Sequence, residues 1–235
     1  MEQKNGQKQQ NSAAGLLTQT DGMEIIFYTD PLCCWSWAME SHWQQFRQEL
    51  PPGITITYKM GGLLPSWNLF NDEVNSIRRP AQMGPEWMHA RHVSGTSIEE
   101  RLWIIDPPAS SFPACIAVKS AELQSRAFGT VYLGMVREAA MLQCKNVART
   151  EVLMDLASEL SESNATFDFD RFRDDLNGAG PEAFKKDWKE AKYLGITRFP
   201  TLVFKIPGRP SVLLSGYRPY SSLKEHWDRI IADNT

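Results

Sequence analysis

The period of the apolar positions changes along the chain, and each change marks an element. Residues 24–29, EIIFYT, are a short continuous run of apolar, aromatic and β-branched side chains, the pattern of a buried strand. Asp30-Pro31 follows as a turn. Beyond it Trp35, Met39, Trp43, Phe46 and Leu50 recur at spacings of 4, 4, 3 and 4, which places them on one face of a helix. Pro51-Pro52-Gly53 ends that helix. Residues 54–60, ITITYKM, alternate with period two, so Ile54, Ile56, Tyr58 and Met60 share one face of a second strand. Strand, turn, helix, strand is a βαβ unit, whose two strands are expected to be parallel and joined by a right-handed crossover.

The middle of the chain reads differently. Residues 61–113 mix Gly, Pro, Trp and Met and predict irregular structure with short helices. Residues 114–144 have helical composition, with a break expected near Gly129. Residues 150–161 put Val152, Leu153, Leu156, Ala157 and Leu160 on one helical face. Residues 167–176 and 181–194 predict two more helices. The second starts at Gly180-Pro181, stops at Gly195, and carries Phe184, Trp188 and Ala191 on its apolar face. Strand character returns in residues 201–206, TLVFKI, and 211–214, SVLL. The turn chemistry of Pro207-Gly208-Arg209-Pro210 between them predicts a hairpin. A last helix follows, with Ser222 and Glu225 as a candidate capping box and Leu223, Trp227, Ile230 and Ile231 inward. The order is βαβ, a long helical block, then ββα, with no internal repeat.

Composition narrows the class of function. Hydrophobic residues make up 42% and charged residues 23%, enough for a packed core. Lys and Arg total 25 against 28 Asp and Glu, and a net charge of −3 argues against nucleic acid as a partner. No apolar run approaches the roughly 18–20 residues of a membrane helix, so no membrane association is expected. Residues 1–22 are rich in Gln, Asn, Ser and Gly and are expected to form a disordered arm. Their one apolar stretch, residues 13–17, is shorter than the roughly 7–15 residues of a secretory signal core, so a cytoplasmic location is expected. In a reducing compartment Cys33, Cys34, Cys115 and Cys144 are expected to be thiols.

Two segments carry candidate chemistry. In Asp30-Pro31-Leu32-Cys33-Cys34-Trp35-Ser36-Trp37, Cys33 falls where the first strand meets the first helix. Unpaired N–H groups and the helix dipole favour a thiolate there, and such sites bring thiol pKa values down towards about 3.5–7.5. Cys33 is the candidate nucleophile; the alternative is an inert buried cysteine. Ser36 is placed to donate a hydrogen bond to its thiolate, or is a plain first-turn serine. Cys34 is a candidate second thiol, or a small residue filling its slot. Trp35 is a core side chain or the wall of a substrate groove. The second segment is Gly195-Ile196-Thr197-Arg198-Phe199-Pro200-Thr201, where Pro200 opens a strand.

With these two motifs, and with SSFPACIAVKSAELQS opening the helical block, the sequence resembles the DsbA-like thioredoxin superfamily. The branch is that of FrnE-type disulfide isomerases, 2-hydroxychromene-2-carboxylate isomerases and kappa-class glutathione transferases. The resemblance implies an α/β thioredoxin fold, βαβ…ββα, with a large all-helical domain inserted after the second strand. Residues 23–62 and 195–235 would form the thioredoxin-fold domain and residues 63–194 the inserted helical domain. FrnE-type members read D-x-x-C-P-W-C at the active site. That alignment places Cys33 at the nucleophile and Ser36 at the resolving cysteine, a CxxS site. It also implies a cis Pro200 facing the thiol, with the Phe199 backbone presenting substrate.

The implied function is a thiol-dependent oxidoreductase or disulfide isomerase working through one cysteine on a disulfide-containing protein or a small thiol. No tightly bound cofactor is expected; glutathione or another low-molecular-weight thiol would resolve the mixed disulfide. One alternative is a glutathione-dependent isomerase or transferase of the same superfamily. Another is a non-catalytic adaptor that presents a protein partner to a protease, with Trp67, Trp87 and Trp103 as a docking surface or as inter-domain core. Oligomeric state is open, a dimer included. Gly61-Gly62 with Pro113 reads as a seat for a small anionic ligand or as punctuation. Cys115 and Cys144 read as buried helix positions. His42 reads as a helix-flank residue. His89 and His92 lack an evident third ligand, so no metal is expected. The acidic run in residues 167–175 suits a solvated helix face.

Overall fold

A computed structural model describes residues 20, 22–70, 72 and 76–232. The continuous apolar run becomes strand β1 (Glu24–Thr29), buried at every position after the first. That burial follows from its central place in a four-stranded sheet of order β2-β1-β3-β4. Strand β2 (Thr55–Met60) pairs parallel to β1, with Ile25 opposite Ile56 and Phe27 opposite Tyr58. Strand β3 (Thr201–Lys205) pairs antiparallel on the other side, and β4 (Val212–Ser215) completes the hairpin. Strand β2 is an edge and stays half-buried along most of its length, which is why it alternates where β1 does not.

Alternation along β1 and β3 gives the sheet two cores. On one face Ile25, Phe27, Leu202 and Phe204 pack with Met39, Trp43 and Phe46 of helix α1 (Cys34–Gln48). On the other, Ile26, Tyr28 and Val203 pack with Ala191, Ile196, Phe199 and Cys33. The inserted block supplies a 3-10 turn (Pro80–Gln82) and helices α2 (Met83–Ser94), α3 (Leu102–Ile105), α4 (Phe112–Gln124), α5 (Arg126–Met141), α6 (Thr150–Ser163), α7 (Phe169–Asn177) and α8 (Ala179–Tyr193). These share a third core, which reaches under the first helix through Leu32, Cys34 and Met60. Helix α9 (Tyr220–Ala232) closes the first face with Leu223, Trp227 and Ile230.

Two details differ from the sequence reading. The break between α4 and α5 lies at Ser125, whose hydroxyl caps the Phe128 N–H, and not at Gly129. Gly129 instead lets the two helices touch: a Cβ there would lie 2.7 Å from Glu122 Cβ. Helix α9 starts two residues before Ser222, so Ser222 and Glu225 sit inside it; Glu225 pairs with Arg229 and caps nothing. The expected arm lies outside the described residues except for Thr20 and Gly22, and Thr20 is buried, its carbonyl accepting the Met23 N–H at 3.1 Å.

Two charged clasps tie the insertion to the sheet. Arg137 of α5 is fully buried, donates to Glu40 of α1 at 2.7 Å, and also bonds Thr29 at the end of β1. Asp187 of α8 accepts Lys59 of β2 at 3.0 Å, Lys119 of α4 at 2.9 Å and the Met60 N–H at 3.2 Å. Tyr28 donates to Glu190 at 2.6 Å beside them. Among the described residues no helix is long and apolar enough to cross a membrane.

Candidate functional site

Cys33 is the N-cap of α1, with extended backbone (φ −80°, ψ 104°). Its own N–H is taken by the Asp30 carbonyl at 3.1 Å. Its sulfur accepts the Ser36 N–H at 3.4 Å, the place an oxygen holds in an ordinary cap. The same sulfur donates to the Phe199 carbonyl at 3.3 Å, and the Phe199–Pro200 peptide bond is cis. Residues 166 positions apart are thus joined at one thiol.

The thiol is only 4% exposed, and this sets its chemistry. Burial pushes the Cys33 pKa up to about 11. The hydroxyl and amide of Ser36 pull it down, the charge of Asp30 pushes it further up, and Arg137 pulls it down. The helix start predicts a lowered pKa; desolvation outweighs it, because a thiolate here would trade water for the hydrogen bond from the Ser36 N–H. Ser36 is fully buried, and its Oγ has no hydrogen-bond partner.

Cys34 does not join Cys33. It is buried in the insertion core with Leu32, Met60 and Leu64, whereas Cys33 belongs to the sheet-face cluster with Tyr28 and Phe199. Adjacent residues at a helix start diverge, so the two thiols point into different cores. Burial and the neighbouring Cys33 also push its pKa well up. Cys115 is buried as well and donates to Asp30 at 3.3 Å. Cys144 is the least buried thiol, in the left-handed region at φ 52° beyond α5.

Trp35 is half-buried at the rim. Its Nε1 donates to Glu86 of α2 at 2.6 Å, with the His89 ring 5.4 Å and the Tyr217 ring 5.8 Å from it. Tyr217 in turn meets His42 at 3.2 Å. Helix α2 and the turn after β4 therefore fix one wall beside the thiol. Among the described residues no group of His, Cys, Asp or Glu is arranged to hold a metal.

Phe199 is held by a glycine. A Cβ on Gly61 would fall 2.0 Å from the Phe199 ring tip, and one on Gly62 would meet Phe112, Trp188 and Phe184. The glycine pair is a seat for aromatic rings. Trp67, Trp87 and Trp103 form an edge-to-face stack with centroids 5.9 and 5.3 Å apart. Trp87 and Trp103 are buried, so this group is core rather than a docking face.

Asp30 escaped the sequence reading, where it marked only a turn. Its carboxylate is fully buried and accepts from Leu32 N (2.8 Å), Leu63 N (2.7 Å), Ser111 Oγ (2.7 Å) and Cys115 Sγ (3.3 Å). It gathers the thiol-bearing turn, the loop after β2 and the start of α4. Burial still raises its pKa against these four donors. The signal available was its place: a carboxylate directly after a strand buried from its second residue on must be solvated by the protein.

A family model described as thioredoxin matches residues 26–225. A curated relative named ClpXP adapter protein SpxH, from Halalkalibacterium halodurans, is 27% identical over 201 residues, covering 84% of this chain and 64% of the relative. The chain thus spans less than two thirds of that relative's length. Among solved structures, one from Nitrosomonas europaea, described as a candidate protein disulfide isomerase, superposes with a TM-score of 0.75 at 21% identity over 91% of this chain and 99% of that one. The cytosolic disulfide reductase DsbM from Pseudomonas aeruginosa gives 0.63 at 19% identity, over 89% and 95%. These likenesses establish the fold.

Proposed function

Because the chain belongs to the thioredoxin family, we propose that it exchanges thiols and disulfides through Cys33 as its single nucleophile. One observation carries the reading: the thiol caps a helix and faces the carbonyl that precedes a cis proline. In the resting state the S–H is donated to Phe199 and the sulfur is held by the Ser36 amide. Loss of that proton frees the Phe199 carbonyl for a substrate N–H. The thiolate then attacks one sulfur of a disulfide. A Cys33–substrate bond forms, the substrate S–S bond breaks, and the other half leaves as a thiolate that takes up a proton.

Ser36 occupies the resolving position and cannot complete a second exchange. Its unpartnered hydroxyl suits a hydrogen bond to the thiolate. The mixed disulfide is released by another cysteine of the substrate, which is isomerisation without net redox change, or by two molecules of glutathione or a similar thiol in turn, which is reduction: the first takes the Cys33 sulfur into a mixed disulfide and frees the substrate thiol, and the second frees Cys33 and leaves as glutathione disulfide. We place this activity in the cytoplasm, where such thiols are abundant. The test is recovery of activity from a scrambled, disulfide-bonded test protein in a glutathione buffer. The wild type should accelerate it and Cys33→Ala should not; equal rates would overturn the reading.

A second reading has its own support. The curated relative bears the name of a protease adaptor, and a thiol with a pKa of about 11 is poorly ionised at neutral pH. On this reading the fold presents a protein partner to a protease, and Cys33 is core. Degradation of the partner would then proceed equally with wild type and Cys33→Ala.

A further inference from the structure

Two loops meet beside Cys33. One leads into β3 and carries Arg198, Phe199 and Pro200. The other follows β4 and carries Gly216, Tyr217 and Arg218. The Gly216 N–H donates to the Pro200 carbonyl at 2.8 Å, and Thr201 Oγ1 bonds both the Arg198 carbonyl (2.7 Å) and Ser215 Oγ (3.0 Å), so the two loops form one unit. Tyr217 extends that unit to Trp35. Each loop contributes one arginine. Arg198 is exposed and Arg218 half-buried, and among the described residues neither has an ion-pair partner. Arg218 Nη1 reaches only the Tyr217 carbonyl at 3.4 Å, and its Nε is buried with no acceptor. A buried N–H without an acceptor is costly unless something else supplies one. Of the carboxylates around the Cys33 turn, Asp30 is taken by four donors and Glu86 by Trp35.

We infer that Arg198 and Arg218 select anionic substrates: the disulfide that reacts at Cys33 carries a carboxylate close to its sulfur, received by these two guanidinium groups. Planar guanidinium forks match carboxylate geometry, and the N-terminus of α1 favours the same sign of charge. The inference rests on Cys33 as the nucleophile and adds the class of its substrate. Carboxylates of this kind occur in small peptide thiols and in acidic protein segments.

The experiment measures the rate of adduct formation at Cys33, by intact mass, with an anionic disulfide (glutathione disulfide), a neutral one (hydroxyethyl disulfide) and a cationic one (cystamine). Wild type should rank them anionic, neutral, cationic, and the preference should collapse in about 1 M salt, where the Debye length is about 3 Å. Arg218→Gln should lower the anionic-to-neutral ratio about tenfold, the worth of one hydrogen bond to a charged group, and Arg198→Gln, at an exposed position, about two- to fivefold. Arg218→Lys, which keeps the charge and loses the Nε donor, should fall between. Arg198 is exposed, so its variant reports even if Arg218→Gln fails to fold. Equal ratios in wild type and Arg198→Gln overturn the inference. If no disulfide reacts at Cys33, the nucleophile reading falls; if the neutral disulfide reacts and the ratios do not move, only the charge selection falls. Mixed disulfides of 2-mercaptoethanol with an aspartate-flanked cysteine peptide and with its asparagine counterpart separate the sources. A preference between these larger than glutathione's assigns a protein substrate, a smaller one a small thiol, and both uphold the carboxylate.

Discussion

Gly61→Ala perturbs the site without touching a reacting atom. The new methyl would lie 2.0, 2.2 and 2.8 Å from three carbons of the Phe199 ring. Carbon contacts are comfortable from about 3.5 Å, so the ring tip must withdraw by roughly 1.5 Å. Phe199 is 9% exposed and packs in the sheet-face core. Overpacking of this kind costs about 1–3 kcal/mol, and pushing the ring towards water gives up part of the roughly 1.5–3 kcal/mol of a buried Phe. We expect a loss of about 2–3 kcal/mol, read in urea unfolding as a lower midpoint at constant slope. Cys33 donates to the carbonyl of the same residue, so its alkylation at fixed pH should quicken as that bond loosens. The control is a cycle. Phe199→Ala alone should cost several kcal/mol, on the order of 3–5, and adding Gly61→Ala should cost almost nothing more, because the methyl enters the space the ring leaves. Additive losses in the double variant, or wild-type stability in Gly61→Ala, would refute the seat.

Three further outcomes are expected. Burial raises the Asp30 pKa in the folded state, so the native protein binds the extra proton between the unfolded value of about 3.9 and the folded one, and wild-type stability should fall as pH rises through that window. Asp30→Asn should remove that slope and increase the thiolate fraction at Cys33; an unchanged slope by urea titration at several pH values would contradict it. Ser36→Cys restores a second thiol three residues from Cys33, and oxidation should join Cys33 to the introduced thiol in a disulfide detected by peptide mapping; its absence would count against Ser36 as the resolving position. Lys119→Met leaves the buried Asp187 with Lys59 as its one remaining cation and should cost about 1–3 kcal/mol by equilibrium unfolding, whereas no measurable change would show this arm of the clasp to be dispensable.

Periodicity made the architecture legible because each core face recurs locally. The run in residues 24–29 marked the central strand, and the alternation of residues 54–60 marked an edge. The position of Cys33 at a helix start was equally local. What escaped detection depends on distant residues. No pattern near Gly129 shows that Ser125 can cap a new helix and so place the break earlier. Gly61 reads as turn punctuation until Phe199, 138 positions away, is laid on it. The thiol pKa failed for the same reason: the helix dipole is visible in the sequence, whereas the burial that outweighs it comes from β3, α8 and the loop before β3. Asp30 gains its meaning only from Leu63, Ser111 and Cys115.

The most direct test of Cys33 as the working nucleophile is site-resolved labelling of all four thiols by hydroxyethyl disulfide from neutral to alkaline pH in the folded protein. At pH 7 a thiol with a pKa near 11 is ionised in about one molecule in ten thousand. Slow modification is expected at Cys33, rising about tenfold per pH unit up to about pH 10 and reversed by glutathione, with Cys34 and Cys115 protected. Labelling confined to the more exposed Cys144, with Cys33 unmodified at pH 10 while the fold persists, would contradict it.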